Sequence, residues 1–370
     1  MRSKFHPITS LAFAACLALA GNLCAQSATN FRLNQPIEAT NQDGQKIRLI
    51  GMQGDSVIFQ FGGTGMGNAE ASIPVDPNSR IRFAYTYPQN FSDIQLNVLS
   101  GNYDRALRLI RNPPVDLLRF LSIPEANCNF HLYAELYYRA LVFAGDAEPA
   151  VQATEAIPFG SQYLPAVFKQ HAGFLLNRLV SEKQVSLTER LLTLLKQQLP
   201  VKEFSTLALP VADQLRLLGE NQMVERIYQA LSESSEAETR QLGQLWIAYN
   251  KANSGNTRQA KAMLDKIGEL NEENPLFAVY CLAQGRLALA EKNSTQALRY
   301  LSRAMVRTSI SDSYKPEIYF LMIQSYILDN NMVPARRLTR EMAVFYPTNM
   351  WLETIKSQFP QLEESKQITL

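Results

Sequence analysis

Two patterns of hydrophobic and polar positions divide the chain. From about Phe31 to Pro88, hydrophobic residues alternate with polar ones, which is typical of half-buried β-strands. Beyond Pro88 the periodicity changes to that of helices. We therefore predict a small β module over residues 26–88, a helical region over 89–358 and a flexible tail over 359–370.

The β module is predicted to contain four or five short strands. Ser56–Phe61 is an apolar strand candidate, and Gly54-Asp55 supplies the turn before it. Asp76-Pro77-Asn78 turns the chain again before a further alternating stretch. So many short strands in so little chain indicate a small antiparallel barrel or curled sheet.

The helical region repeats one local signal, a turn with a small or β-branched residue five positions after its start. These positions are Ala106, Ala150, Val224, Ala260, Ala297 and Ala335. Their separations are 44, 74, 36, 37 and 38 residues, and 74 is twice 37, so we predict a degenerate copy near Leu187. Self-similarity at this period is typical of a solenoid built from helix pairs.

The last two units also place small, aromatic and proline residues at recurring positions. These residues are Gly285, Ala297, Leu301 and Ala304 in one unit, and Tyr326, Ala335 and Pro347 in the next. They resemble the tetratricopeptide repeat (TPR), and the resemblance covers roughly residues 92–358. It implies a mainly α protein, an α-solenoid of about six to seven helix pairs, whose concave groove binds extended peptides or partner helices.

Carried over by position, the resemblance implies that nine side chains on the first helices of the pairs face the groove. They are Glu135, Arg139, Leu245, Tyr249, Leu282, Arg286, Leu289, Phe320 and Gln324. This mixed set lacks the lysine-rich clamp with which some family members hold a C-terminal carboxylate. Spacing alone leaves open the alternative that each side chain contacts the next helix pair or water.

The N-terminal segment, residues 1–25, has the parts of a secretory signal. Arg2 and Lys4 form a basic start, Ile8–Ala20 is an apolar core, and a small-residue cleavage site ends at Ala25. That core is too short to span a bilayer, and no later stretch is apolar for 18 residues, so we expect no transmembrane segment. The protein is therefore predicted to be exported, as a periplasmic or secreted chain.

A lipoprotein signal is the alternative interpretation of the same segment. Ala14-Ala15 places small residues directly before Cys16, which could then carry a lipid anchor, although the apolar core before it is unusually short. Cleavage near Ala25 would instead leave two cysteines, Cys128 and Cys281, which do not make a disulfide framework.

Composition and charge limit the function classes. The chain is 46% hydrophobic and 19% charged, which is typical of a folded protein rather than a disordered one. Of its 36 basic residues two lie in the signal, so 34 basic residues balance 34 acidic ones in the mature chain. Bulk charge therefore does not predict a nucleic-acid partner.

Catalytic and cofactor motifs are missing from the sequence. It contains no His-Glu-x-x-His helix, no Gly-x-Ser-x-Gly elbow and no phosphate loop ending in Gly-Lys-Ser/Thr. The glycine pattern over 63–67 precedes a predicted strand rather than a helix, so we interpret it as a hairpin turn. We expect neither a cofactor nor an enzymatic activity.

One cluster could bind a metal ion. Cys128, His131 and Glu135 are three and four residues apart, and His171 is a conceivable fourth ligand, so a metal-dependent hydrolase is an alternative function. Against it, Cys128 is expected to precede the helix, no second ligand pair is visible, and Glu135 can pair with Arg139. We predict no metal site.

The leading hypothesis is an exported, non-enzymatic scaffold or adaptor of a bacterial cell envelope. It would bind a protein or peptide through the concave face, with Tyr249, Arg286 and Phe320 as the main anchors. Two alternatives stay open beside the hydrolase. One is an envelope assembly factor lipidated at Cys16, and the other is binding of a glycan or peptide along an exposed strand edge such as Ser56–Phe61. The sequence names neither the partner nor the oligomeric state.

Overall fold

A computed structural model of the chain describes residues 30–61 and 69–362. The protein is mainly helical, and a small antiparallel sheet opens the described part, as predicted. The predicted signal at 1–25, the glycine loop at 63–67 and residues 363–370 of the predicted tail lie outside the described residues. No helix in the described ranges is long and apolar enough to cross a membrane.

Five strands form one antiparallel sheet with the order β4-β3-β2-β1-β5. They are β1 Phe31–Asn41, β2 Lys46–Gln53, β3 Ser56–Phe61, β4 Glu70–Pro74 and β5 Phe83–Tyr85. The strand Ser56–Phe61 is paired on both sides, with β2 and with β4. The expectation of a free edge along this strand is therefore wrong, because the edges of the sheet are β4 and β5.

A bulge at Ile50 brings β2 very close to β1. In the pairing with β3, Leu49 lies opposite Phe59 and Gly51 lies opposite Ile58, which leaves Ile50 as the extra residue. A Cβ atom on Gly51 would lie 2.1 Å from the carbonyl oxygen of Phe31. Only glycine fits at this position, and bulges of this kind bend a strand and increase its twist. The sheet accordingly curls into a half-barrel.

Sixteen α-helices follow in the described residues. Seven precede Pro200: α1 Phe91–Leu99, α2 Tyr103–Leu109, α3 Val115–Arg119, α4 Phe130–Phe143, α5 Ala147–Glu155, α6 Ala166–Ser181 and α7 Val185–Gln198. Nine follow it: α8 Val201–Leu218, α9 Asn221–Ser232, α10 Ala237–Asn253, α11 Thr257–Ile267, α12 Phe277–Ala290, α13 Ser294–Arg307, α14 Lys315–Leu328, α15 Met332–Phe345 and α16 Met350–Gln358. The 3-10 turn Pro360–Leu362 comes next, and Leu362 is buried, so the predicted tail does not begin at residue 359.

Six of the helix pairs are joined by the same backbone turn. One residue of each turn lies in the left-handed region, with φ from 55° to 82°: Gly101, Lys183, Gly219, Gly255, Lys292 and Asn330. The next N–H group donates to the carbonyl five residues earlier, as from Asn256 to Lys251 at 2.8 Å. This arrangement satisfies carbonyl groups that the end of a helix leaves free.

The fifth residue after each left-handed position is fully buried. These residues are Ala106, Thr188, Val224, Ala260, Ala297 and Ala335, and Ala150 is fully buried after the turn at Gly145. Thr188 is the degenerate copy predicted near Leu187. Paired helices approach each other closely at Gly285, where a Cβ atom would lie 2.6 Å from Cγ of Leu301.

The chain divides into two compact units, one ending at Pro200 and the other beginning at Val201. Within the first unit, the sheet is joined to the helices through Asn129. Its side chain accepts a hydrogen bond from the Tyr85 N–H at 2.7 Å and donates to the Tyr85 carbonyl at 2.9 Å. The second unit consists of four helix pairs, from α8 to α15, and the closing helix α16.

Candidate functional site

Several side chains predicted to face the groove lie in the core instead. Leu245, Tyr249, Leu282 and Phe320 are buried, so they are not surface anchors, and the prediction is corrected for these four. The other five are half-buried and remain candidates: Glu135, Arg139, Arg286, Leu289 and Gln324. All nine lie on first helices of pairs, on α4, α10, α12 and α14.

A buried ionic cluster in the second unit explains the position of Tyr249. Arg216 of α8 forms an ion pair with Glu317 of α14, and each side chain is 1% exposed. Arg216 Nη2 also lies 2.8 Å from Oδ1 of Asp213, and its Nη1 donates to the hydroxyl of Tyr228. The Tyr249 hydroxyl donates to Glu317 Oε1 at 2.5 Å. The Tyr249 hydroxyl is therefore hydrogen-bonded to a charged residue within the protein rather than facing a partner.

Aromatic rings and burial set the electrostatics of this ionic cluster. The Arg216 guanidinium lies 4.4 Å from the ring centre of Trp246. Burial opposes the positive charge, but Glu317 and its neighbours outweigh it, so the pKa of Arg216 is raised well above its ordinary value. Burial also raises the pKa of Asp213, although Arg216 opposes that shift.

The ion pair joins helices that are far apart in sequence. Arg216 and Glu317 are 101 residues apart and belong to the first and fourth helix pairs of the second unit. The first helices of these two pairs thus meet around a buried charge.

The residues considered for a metal site contact other groups of the protein itself. His131 Nε2 lies 2.8 Å from the Ile123 carbonyl oxygen, and His171 Nε2 lies 3.0 Å from Glu135 Oε1. Cys128 precedes α4, as expected, and burial raises the pKa of its thiol to about 12. A thiol with so high a pKa stays protonated and is a poor metal ligand or nucleophile. Within 30–61 and 69–362, no three His, Cys, Asp or Glu residues are placed to hold a metal ion.

An exposed aromatic surface lies on the first unit. It is formed by the exposed rings of Phe143 of α4 and Phe174 of α6 and by the half-buried ring of Tyr103 of α2, and we call it the α4–α6 face. Phe143 is 40% exposed and Phe174 is 54% exposed. The Tyr103 and Phe143 rings stack at 5.2 Å, and the Phe143 and Phe174 rings are 5.6 Å apart. The three rings therefore form a continuous row across three helices.

Polar side chains predicted from the sequence lie along the same surface of α4. Glu135, Arg139 and Phe143 follow one another at intervals of four residues, which places them on one side of the helix. Glu135 pairs with His171 of α6, whose ring also meets the edge of Phe143 at 6.0 Å. The Nε atom of Arg139 is buried and has no hydrogen-bond partner among the described residues.

The α4–α6 face is held in place by Arg178 of α6. Its Nη1 atom donates to the carbonyl groups of Val142 and Ala144 at the end of α4, and its Nε lies 3.3 Å from Glu182 Oε1. Exposed rings on a fixed support can anchor apolar side chains of another molecule. Sequence reasoning missed Phe143 and Phe174, because hydrophobic residues at helical spacing usually indicate core.

Comparison with protein-family models, with curated proteins and with solved structures found no match for this chain. The resemblance to the tetratricopeptide repeat therefore rests on the residues of the chain itself. A fold class hosts many functions, so the function has to be argued from the geometry of the α4–α6 face.

Proposed function

We propose that the protein is an exported, non-enzymatic scaffold that binds another protein through the α4–α6 face of a TPR-like α-solenoid. The row of Phe143 and Phe174, both exposed, with the half-buried Tyr103 beside them, carries this proposal. Aromatic side chains dominate the binding energy of many protein interfaces, and exposed apolar patches often mark such sites.

The solenoid part of the proposal is supported by the repeated helix pairs. The same left-handed turn recurs in both units, and a fully buried residue follows five positions later. Paired helices with this regularity bury their apolar sides by stacking on their neighbours. The export part is supported by the signal-like sequence of residues 1–25, and a bacterial envelope is the compartment that it suggests.

The partner is proposed to be a protein segment that presents apolar side chains next to a hydrogen-bond acceptor. The apolar side chains would pack on Phe143 and Phe174. The acceptor, a carbonyl or carboxylate group, would pair with the half-buried guanidinium of Arg139. In this arrangement the retained candidates Glu135 and Arg139 lie beside the aromatic anchors.

Photocrosslinking in cells tests the proposal. A photoreactive amino acid replaces Phe174, and in a matched control it replaces Val344, which is 74% exposed on α15. We expect one discrete protein to be captured at 174 and not at 344. Adding Phe143→Ser should reduce that capture, because the neighbouring anchor ring is lost.

Three outcomes contradict the proposal. Capture of the same proteins at 174 and 344 would show nonspecific contact, and no capture at 174 would leave the α4–α6 face without a partner. Capture of a second copy of this chain at 174 would make the face a contact between protomers, which is not a scaffold function.

A further inference from the structure

A cavity of about 410 Å³ lies in the first unit between the end of β5 and the helices α1 and α2. Its volume falls within the range of roughly 300–1,000 Å³ that is usual for small-molecule sites. The rings of Tyr85 and Tyr133 form one wall and stack nearly parallel, with their centres 5.9 Å apart. Tyr133 is only 2% exposed, so the half-buried Tyr85 supplies most of the accessible surface of this wall.

Contacts on three sides hold this cavity open. The backbone of Tyr85 is fixed by its two hydrogen bonds with Asn129. The side chain of Asn90, at the start of α1, donates to the Leu109 carbonyl at the end of α2 at 2.9 Å. The Tyr133 ring also meets Phe91 of α1 at 5.9 Å. The wall and the rim are therefore preformed.

Several polar groups that line the cavity are available to a ligand. The hydroxyl groups of Tyr85 and Tyr133 have no hydrogen-bond partner in the described part of the chain, although they belong to the wall. The exposed side chains of Gln89 and Asn112 add amide donors and acceptors at the rim. Arg111 brings a positive charge, and the lining includes no aspartate or glutamate.

We propose that this cavity binds an acidic sugar, that is, a pyranose ring that carries one carboxylate. The apolar face of such a ring packs on the half-buried ring of Tyr85. Amide groups present a donor and an acceptor side by side, which suits neighbouring sugar hydroxyls. The guanidinium of Arg111 matches a carboxylate, with two parallel hydrogen bonds. This inference does not depend on the proposed scaffold function, because it involves none of the residues of the α4–α6 face.

Each ligand class of simpler chemistry leaves part of the cavity unused. A neutral sugar provides no partner for Arg111, and a cyclic carboxylic acid without hydroxyls provides none for Gln89 and Asn112. Burial raises the pKa of Tyr133 to about 12, so its hydroxyl keeps its proton and can donate to a ligand oxygen at neutral pH.

Titration calorimetry on the chain from residue 26 onward tests the proposal with four probes. They are glucuronate, methyl glucuronide, glucose and cyclohexanecarboxylate. We expect glucuronate to bind at least about tenfold more tightly than glucose or cyclohexanecarboxylate, because each of these lacks one set of partners. Binding of methyl glucuronide as well would indicate a residue of an acidic polysaccharide as the source, whereas binding of glucuronate alone would indicate a free acid. Either result supports the site.

Substitutions at the cavity residues test whether glucuronate binds in the cavity. Arg111→Gln should reduce glucuronate affinity to that of glucose, and the double variant Tyr85→Phe with Tyr133→Phe should weaken both sugars while it keeps the stacked rings. Arg258→Gln, an exposed arginine on α11, is the matched control and should change nothing. Melting curves verify that each variant is folded.

The proposal is overturned if neither uronate binds, or if glucose or cyclohexanecarboxylate binds as tightly as glucuronate. It is also overturned if folded Arg111→Gln protein binds glucuronate as well as the unchanged chain does.

Discussion

At the scale of single residues, Gly51 determines how closely two strands of the sheet approach. A Cβ atom there would overlap the carbonyl oxygen of Phe31, and that oxygen belongs to backbone that cannot rotate away. We expect Gly51→Ala to lower the free energy of unfolding by about 3 kcal/mol, the upper part of the usual range for overpacking. Denaturant unfolding followed by circular dichroism measures this change.

Gly145→Ala is the matched control for the substitution at Gly51. A Cβ atom on Gly145 would have no neighbour within 4 Å, and this glycine does not occupy the left-handed region. Its replacement should change the free energy of unfolding by less than about 0.5 kcal/mol. Equal effects at both positions would show that the close approach of β2 to β1 does not limit stability.

His131 should make the stability of the first unit depend on pH. Burial lowers its pKa below the ordinary value, although Glu125, 3.5 Å from Nδ1, opposes the shift. The Ile123 carbonyl can only accept a hydrogen bond, so the neutral ring donates from Nε2. The folded chain then binds fewer protons than the unfolded chain, whose histidines titrate near pH 6.5.

The sign of this effect follows from proton linkage. The stabilisation is complete above about pH 6.5, and it is lost as the pH falls through the lowered pKa of folded His131. We expect the free energy of unfolding to decrease from pH 7.5 to pH 5, and His131→Gln to remove part of that slope. An unchanged slope in the variant would assign the pH dependence to other groups.

At the scale of secondary-structure elements, one buried ion pair connects α8 with α14. Glu317→Gln leaves the charge of Arg216 buried with a weaker partner, which typically costs about 3–5 kcal/mol. Replacing all three charged residues of the cluster at once, with Arg216→Met, Glu317→Met and Asp213→Asn, should recover most of the lost stability. Denaturant unfolding of the two variants measures both changes.

The exposed ion pairs of Arg190 provide a control for the buried pair. Arg190 contacts Glu148 and Glu155, and its side chain is 39% exposed. Arg190→Ala should cost no more than about 1 kcal/mol, because solvent screens such pairs. If Glu317→Gln costs as little as Arg190→Ala, the ion pair does not determine the packing of α8 and α14.

Elements with local signals can be predicted from the sequence. A left-handed glycine or asparagine and the small residue five positions later lie close together in the sequence. The helix pairs can therefore be recognised from a short stretch of chain. The copy at Thr188 is harder to find, because Lys183 occupies the left-handed position and threonine replaces alanine. The first strand, β1, is also hard to delimit, because its exposed and half-buried positions do not alternate regularly.

At the scale of the whole molecule, the candidate site can be predicted only in part. The positions of Glu135 and Arg139 relative to the turns are enough to predict them as candidate site residues. The same reasoning wrongly places Tyr249 and Phe320, which are buried, in a groove. Whether the inner side of a first helix is core or surface depends on contacts about a hundred residues away, such as Arg216 with Glu317. No pattern within a single repeat contains that information.

The division into two compact units predicts that each unit unfolds with its own transition. Both tryptophans of the chain, Trp246 and Trp351, lie in the second unit, so their fluorescence reports on that unit alone. Circular dichroism reports on the helices of both units. We expect Glu317→Gln to lower the denaturant midpoint seen by fluorescence, because Trp246 lies directly over Arg216.

Gly51→Ala should have the opposite signature in the same experiment. It should shift the part of the circular dichroism transition that comes from the first unit and leave the fluorescence midpoint unchanged, because Gly51 and Phe31 belong to that unit. Mutational effects at distant sites without shared partners normally add, so the double variant should show both shifts together. Equal shifts of both probes in either single variant would instead mean that the two units unfold as one cooperative structure.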